Sequence, residues 1–310
     1  MPSADVGRAA DALFLDEITA SARLAGALLL RYEVGALVER RVTSGARRLT
    51  EYVLAADYAA AAAFVRSAAP PGRRRPFLAL HEVIELHALT VRRSLLDRPG
   101  TWRATTSRPF SSGMIAPPAW LVPQAIAALV DRISAGPGPS AAPLFWVAEH
   151  HERFRRIQPF ATANGRVGRL VTNLLLRRLG YPSLVIGAGD ARAFSSALAR
   201  ADSGDPWPLA VVVARGVLAS LTRLSAAVLE DDELRPLSAL SPMEERAGLY
   251  KAAQRGSLPA VRRGGRLLTT RAWIDAYRRE RTTAPPAEGD AARRTNETRD
   301  GDDSRNARPH

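Results

Sequence analysis

The segment whose residue types could do chemistry runs Ile157-Gln158-Pro159-Phe160-Ala161-Thr162-Ala163-Asn164-Gly165-Arg166-Val167-Gly168-Arg169. Small residues feed an apolar helical pattern that begins at Asn164, so the first turn would hold Asn164, Gly165 and Arg166. The first N–H groups of a helix lack internal acceptors and carry partial positive charge, so such an end attracts anions. Gly165 has no Cβ and lets an anion approach the backbone. Arg166 and Arg169, three apart, offer two rigid planar forks suited to phosphate oxygens. The plainer reading of the same residues is a capped helix with two surface arginines.

Several elements must position this segment. The helix at about 164–179 is well punctuated: Asn164 as N-cap, an apolar stripe of Val167, Leu170, Val171 and Leu174, then Arg177, Arg178, Gly180 and Pro182. Residues 5–65 read as mostly helical with one break near Gly45, and residues 77–98 as helical again. The Pro70–Pro76 stretch separates them. Residues 99–118 carry Gly, Ser, Thr and Pro and predict a loop or short hairpin. Helices are expected at about 120–135, 143–157, 190–201 and 206–229.

With those elements in place, the segment resembles the signature of the Fic family, His-Pro-Phe-x-Asp/Glu-Gly-Asn-Gly-Arg-x-x-Arg. Pro159, Phe160, Asn164, Gly165, Arg166 and Arg169 match in register. His151, Phe154 and Ile157 resemble the family's preceding helix, and Leu170, Asn173, Leu174 and Leu179-Gly180-Tyr181-Pro182 its following helix and exit. Pro99-Gly100-Thr101-Trp102-Arg103 and Ala116-Pro117-Pro118 resemble the two ends of its target-binding flap. The similarity extends over roughly residues 15–230. It implies an all-α fold: a Fic-type helical bundle with a small β-hairpin flap, followed by a small winged-helix module. The domains expected are an N-terminal helical region at 1–75, the core at 76–230, the module at 237–280 and a disordered tail at 281–310.

The departures from the signature bear on chemistry. The family's motif histidine is a general base, and Gln158 stands in its place; an amide has no useful basicity near neutral pH. The acidic residue that helps hold magnesium is Thr162, a poorer ligand than a carboxylate. The first motif glycine is Ala163. The resemblance thus implies a phosphate or nucleotide cradle of Thr162, Ala163, Asn164, Gly165, Arg166 and Arg169. Its ligand would be ATP or another nucleotide or phosphorylated small molecule, with magnesium in doubt and ordinary AMP transfer unexpected. Ser21-Ala22-Arg23-Leu24-Ala25-Gly26 resembles the family's inhibitory-helix pattern, Ser/Thr-x-x-x-Glu-Gly/Asn, with Ala25 where the glutamate pairs with the second motif arginine.

The last folded stretch is different in kind. A helix ending at Gly256, a strand, a Gly264-Gly265 turn, a second strand and a helix capped by Thr270 resemble an excisionase-like winged helix-turn-helix. Residues 250–281 hold nine basic side chains against two acidic, so Lys251, Arg255, Arg262, Arg263 and Arg266 are candidate DNA contacts. A module used only for protein contact fits the same pattern.

Composition adds bounds. The chain has 310 residues and a formal charge of +13. Lys251 is its one lysine, so the basic balance reflects an arginine-rich, GC-biased composition more than a nucleic-acid partner. Cysteine is absent, which excludes thiolate nucleophiles, disulfides and cysteine zinc sites. No apolar run reads as a membrane span and no secretory leader is evident, so a cytoplasmic protein is expected. His150, His151 and Glu152 lie on different helix faces, and His81 and His87 lack a third ligand nearby, so no metal site is expected. Gly187-Ala188-Gly189-Asp190 is too short for a dinucleotide loop. Phe194 stands where the family often places a tyrosine near adenine. Ser195 and Ser196 lack a histidine and acid at triad spacing. Three functions remain: a transferase of altered mechanism, a nucleotide-sensing DNA-binding regulator, or a partner of an active Fic protein.

Overall fold

The computed structural model describes residues 4–43, 45, 47–68, 77–93, 98–107, 110, 113–138, 140–229 and 233–283. They form two compact units that divide at Asp231–Asp232. The helix-breaking stretch Pro70–Pro76 and the tail beyond residue 283 lie outside the described residues.

The first unit is helical: α1 Ala4–Leu24, α2 Arg31–Arg40, α3 Leu49–Ala68, α4 Leu80–Thr90, α5 Val122–Ser134, α6 Pro143–Ile157, α7 Asn164–Arg178, α8 Ala191–Asp202 and α9 Trp207–Ser225. Helix α7 sits at the centre, packed against α6, α3 and α4. Its apolar stripe fills the core: Val167, Leu170 and Leu174 are wholly buried, with Phe154 and Tyr58 among the large enclosed neighbours. Gly168 lets α6 and α7 approach closely, because a Cβ there would sit 3.3 Å from Phe154 and 3.6 Å from His151.

The expected single break near Gly45 becomes two. Helix α1 stops at Leu24, and Gly26 takes a left-handed φ of 93° while Ala27 N donates to Ala22 O. The apolar run Ala25–Leu30 hides this stop, yet glycine alone adopts that φ without a Cβ penalty. Segment 98–118 forms no strand among its described residues. Phe110 N donates to Met114 O and Gly113 N to Phe110 O, closing a turn without a ladder. Helix α9 is long and apolar enough to cross a membrane by length and composition, which differs from the expectation of no membrane-length apolar run. Leu209, Val213 and Val217 are buried, and α9 packs on α8, α6 and α1, as a core helix does.

The second unit contains β1 Arg235–Pro236, α10 Leu237–Leu240, α11 Met243–Gln254, β2 Val261–Arg263, β3 Arg266–Thr269 and α12 Arg271–Thr283. The strands form one antiparallel sheet in the order β1-β3-β2. Gly264 and Gly265 both have positive φ, which the tight β2–β3 turn requires. Thr270 Oγ1 accepts from Trp273 N at 3.1 Å, the cap expected for the last helix. Leu237, Leu249, Leu258 and Ile274 form a small separate core.

A buried ion pair ties α7 to α4. Arg178 donates to both carboxylate oxygens of Glu82 (2.9 and 2.5 Å) and to Phe77 O, and both side chains are under a tenth exposed. Glu82 also caps its own helix by accepting from Ala79 N. Removing one partner strands a charge in the interior, which costs about 3–5 kcal/mol. Glu82→Ala should therefore lower unfolding stability by about that amount in urea titration; an unchanged midpoint would show the pair to be dispensable.

Candidate functional site

The chain reverses between α6 and α7 within six residues, and both ends of the reversal are left-handed. Gln158 has φ 47° and Ala163 has φ 62°. Such values cost a non-glycine residue on the order of 1–2 kcal/mol, so something must hold the loop. Asn164 does. Its Oδ1 accepts from Phe160 N at 2.9 Å and its Nδ2 donates to Phe160 O at 2.7 Å. The expected role of Asn164 as N-cap is thereby corrected. It is the first helical residue, Ala163 occupies the cap position, and the amide clamps the loop instead. Phe160, buried by this clamp, stacks on His87 (3.7 Å between centroids) and on Trp102 (5.0 Å).

Gln158 lines a recess of about 570 Å³ together with Thr105, Thr106, Ser107 and Phe110. Its Nε2 donates to Arg155 O at 3.1 Å, folding the amide back on the end of α6. Its backbone carbonyl accepts from Arg103 Nε at 2.6 Å. Arg103 reaches further: to Thr105 O (2.9 Å), to Ile157 O (3.3 Å) and to Pro117 O, while its own N–H donates to Pro159 O. One buried guanidinium thus ties both ends of segment 98–118 to the motif loop. Burial pushes its pKa down. The sequence placed Arg103 in a matching segment but gave it no role; its signal was the lone arginine between Trp102 and a run of small polar residues.

Farther along the turn, Phe110 packs over the guanidinium of Arg155, 4.4 Å from carbon to ring centroid. Arg155 is held from behind by a bidentate pair with Asp202 at 2.8 and 2.7 Å.

The two motif arginines diverge. Arg166 Nη1 donates to Thr90 O, at the carboxyl end of α4. Arg169 turns to α1: Nε and Nη2 reach Ser21 Oγ at 3.0 and 2.7 Å, and Nη2 also reaches Ser21 O. The guanidinium pKa of Arg169 is lowered, chiefly by burial, with Tyr58 and Glu17 opposing and Arg166 adding. Ser21 of the sequence pattern therefore meets Arg169. Ala25 and Gly26 lie in the turn beyond α1, and Ala25 carries no polar group. Gly165 is exposed, and a Cβ there would meet Arg169 Nη1 at 3.5 Å, so the helix end stays approachable. Thr162 lies in the exposed part of the loop.

His151 lies beneath this site, buried on α6. Thr172 Oγ1 donates to Gly168 O, so it accepts from His151 Nδ1–H at 2.8 Å. Burial first, then Arg169 and Arg155, lower the pKa of His151 to about 4. His150 faces away, with Nδ1 on Trp146 O. Among the described residues no three His, Asp or Glu side chains are placed to hold a metal ion.

In the second unit, Arg262 and Arg266 join Arg246 and Tyr250 around a recess of about 570 Å³. Lys251, Arg255 and Arg263 are exposed but do not line it. Arg246, which sequence reasoning missed, donates to Ser241 O and Ser238 O.

Residues 77–176 match the family model described as Fic/DOC family. A protein adenylyltransferase Fic from Nematostella vectensis is 27% identical over 138 residues, 44% of this chain and 32% of that protein. The chain spans about a third or less of the curated relatives it first matches. A Fic domain containing signaling protein from Bacteroides thetaiotaomicron superposes with a TM-score of 0.63 at 23% identity, over 72% of this chain and 90% of that one. Fic-1 from C. elegans superposes with a TM-score of 0.65 at 20% identity, over 73% and 66%. At these identities the likeness is one of fold.

The lowered pKa of His151 makes a prediction. The unfolded chain takes up a proton below about 6.5, whereas the folded one does so only below about 4. Stability is therefore full above the unfolded value and falls as pH drops through this window, by about 2 kcal/mol between pH 7 and pH 5. Urea midpoints at the two pH values should show this loss, and His151→Gln should shrink it. An equal loss in the variant would remove His151 as the cause.

Proposed function

We propose that this chain, whose residues 77–176 form a Fic/DOC domain, binds a nucleotide or other phosphorylated ligand at the amino end of α7 and does not carry out ordinary histidine-dependent AMP transfer. The observation that carries this reading is the state of Gln158. Its side chain is an amide whose N–H is donated back to Arg155 O, at the position where a base would take a proton from a target hydroxyl. An amide accepts no proton near neutral pH. Thr162, in place of an acid, weakens the metal site in the same direction.

What favours retained binding is the other half of the motif. The clamp of Asn164 keeps the loop and helix end in place, Gly165 leaves the backbone approachable, and Arg166 and Arg169 flank it. Thr90 O accepts from Arg166, and Ser21 and the Tyr58 hydroxyl, all neutral, hydrogen-bond Arg169. A phosphate offers each fork a charged acceptor, and charge-assisted bonds are roughly twice as strong as neutral ones. The relatives named protein adenylyltransferases match this chain in part, which supports the nucleotide class. A transferase in which the substrate supplies its own base is the enzymatic form of the proposal.

A second reading rests on the C-terminal unit, where Arg246, Arg262, Arg266 and Tyr250 share one recess. Such a basic groove with an aromatic suits a phosphate backbone, making the protein a ligand-sensing DNA binder. Glu244 and Glu245 in the first turn of α11 count against it, since carboxylates there repel phosphates.

Calorimetric titration with ATP, CTP, GTP and CDP-choline, with and without magnesium, tests the first reading. One of them should saturate the protein, and Arg166→Ala should weaken it at least tenfold, about 1.4 kcal/mol. No binding by any would refute the cradle. In parallel, the parent should transfer no label from α-labelled ATP, whereas Gln158→His with Thr162→Asp should raise self-labelling at least tenfold above background. Labelling by the parent at the level of the double variant would overturn the inactive reading.

A further inference from the structure

A second cavity opens on the first unit, away from the motif, where α1, the end of α3, the end of α7 and α9 meet. It measures about 320 Å³, within the range of small-molecule sites. Its lining is mixed in chemistry: Leu13, Phe14, Leu221 and Leu224 are apolar, and Arg66, Arg177 and Glu17 are ionisable.

The charges there do not cancel. Arg66 is paired at the rim with Asp11 (3.1 Å) and lies 4.6 Å over the ring of Phe14. Glu17 is 5% exposed and turned inward, where the hydroxyl of Tyr58 lies 3.4 Å away and Asn173 and Ser183 supply further hydrogen bonds. Burial raises its pKa, so it holds a proton more readily than an ordinary glutamate. Arg177 is attracted by Glu17 but forms no ion pair with it. Among the described residues no carboxylate lies within ion-pair distance of it, and its Nε is buried without an acceptor. A buried Nε–H without an acceptor is unusual, since buried donors are ordinarily paired. Burial lowers its pKa, the Glu17 carboxyl opposes that by attraction, and the neighbouring Arg66 adds to it.

We propose that this cavity is a binding site for a small organic carboxylate, its apolar body against Phe14, Leu13, Leu221 and Leu224 and its carboxylate on Arg177 and Arg66. The two guanidiniums are the anion receptor, and planar forks match a carboxylate with two parallel hydrogen bonds. The apolar residues set the second requirement: a bare inorganic anion would leave them wet, and a neutral hydrocarbon would leave the Arg177 Nε–H without an acceptor. The site is independent of the nucleotide reading, because none of its lining residues belongs to the motif loop.

The test uses 4-phenylbutyrate and its uncharged counterpart 4-phenylbutan-1-ol as probes on the full chain, by calorimetry and saturation-transfer NMR. The acid should bind saturably and the alcohol at least tenfold more weakly. Arg177→Ala should weaken the acid at least tenfold. Leu221→Trp, at a partly exposed position on α9 that tolerates bulk, should fill the cavity and abolish binding with the fold intact. Equal binding of acid and alcohol, no saturation by the acid, or unchanged binding in both variants would overturn the assignment.

Discussion

The structure turns on one local constraint: the chain must reverse between α6 and α7 with no glycine at either left-handed position. Gln158 and Ala163 bear that conformation, and each is disfavoured by crowding of its Cβ. The two hydrogen bonds between Asn164 and Phe160 hold the loop from inside, and the carbonyls of Ile157, Gln158 and Pro159 are bound from outside by Arg103. Buried carbonyls need donors, so Arg103 satisfies the loop while fastening segment 98–118 to it. The ring of Phe160 then completes the join by stacking on His87 and Trp102. The helix end, the recess and the flap segment are one assembly because they share this turn.

The second join, between α1 and α7, is polar and weaker in charge. On α1, Arg169 meets oxygens of Ser21, and Tyr58 of α3 adds a further hydrogen bond. A hydroxyl orients a guanidinium without neutralising it, whereas a carboxylate at that point would compete with any incoming anion. Glu17 stands one turn earlier on the same helix, but its carboxyl is engaged with Tyr58, Asn173 and Ser183. The resulting network fixes α1 against α3 and α7 and leaves the charge of Arg169 in place. An ion pair would hold the helices more firmly and bind ligand less well.

Most of the architecture could be read from sequence because its signals are periodic and local. The stripe from Val167 to Leu174 set α7 within one residue, and the glycine pair and Thr270 located the hairpin and last helix of the second unit. What could not be read depended on contacts distant in the chain. Asn164 carries the composition of a cap, and nothing in its neighbours says that its amide serves Phe160 instead. Arg103 acts on residues 54 to 56 positions away. The stop at Gly26 is hidden because Ala25 and Leu28–Leu30 continue the apolar composition of the helix before it. The two motif arginines were legible as a pair, but their divergence toward Thr90 and Ser21 depends on where α4 and α1 pack.

The recess at Gln158 bears on what chemistry the proposed ligand could meet. Its lining side chains offer hydroxyls, an amide and the guanidinium of Arg103. Each is a donor or a weakly basic acceptor. His151 is neutral at pH 7 and so retains a lone pair, but it is buried under α7 with Nδ1 committed to Thr172, and a base must come within hydrogen-bond reach of the proton it removes. On the proposed reading, then, an attacking hydroxyl would meet orientation without a proton acceptor, and any transfer would depend on basicity carried by the substrate or its phosphates. The same lining, polar and without a carboxylate or imidazole, suits a site that recognises a phosphorylated molecule and holds it unreacted, because donors that bind an anion do not need a base to do so.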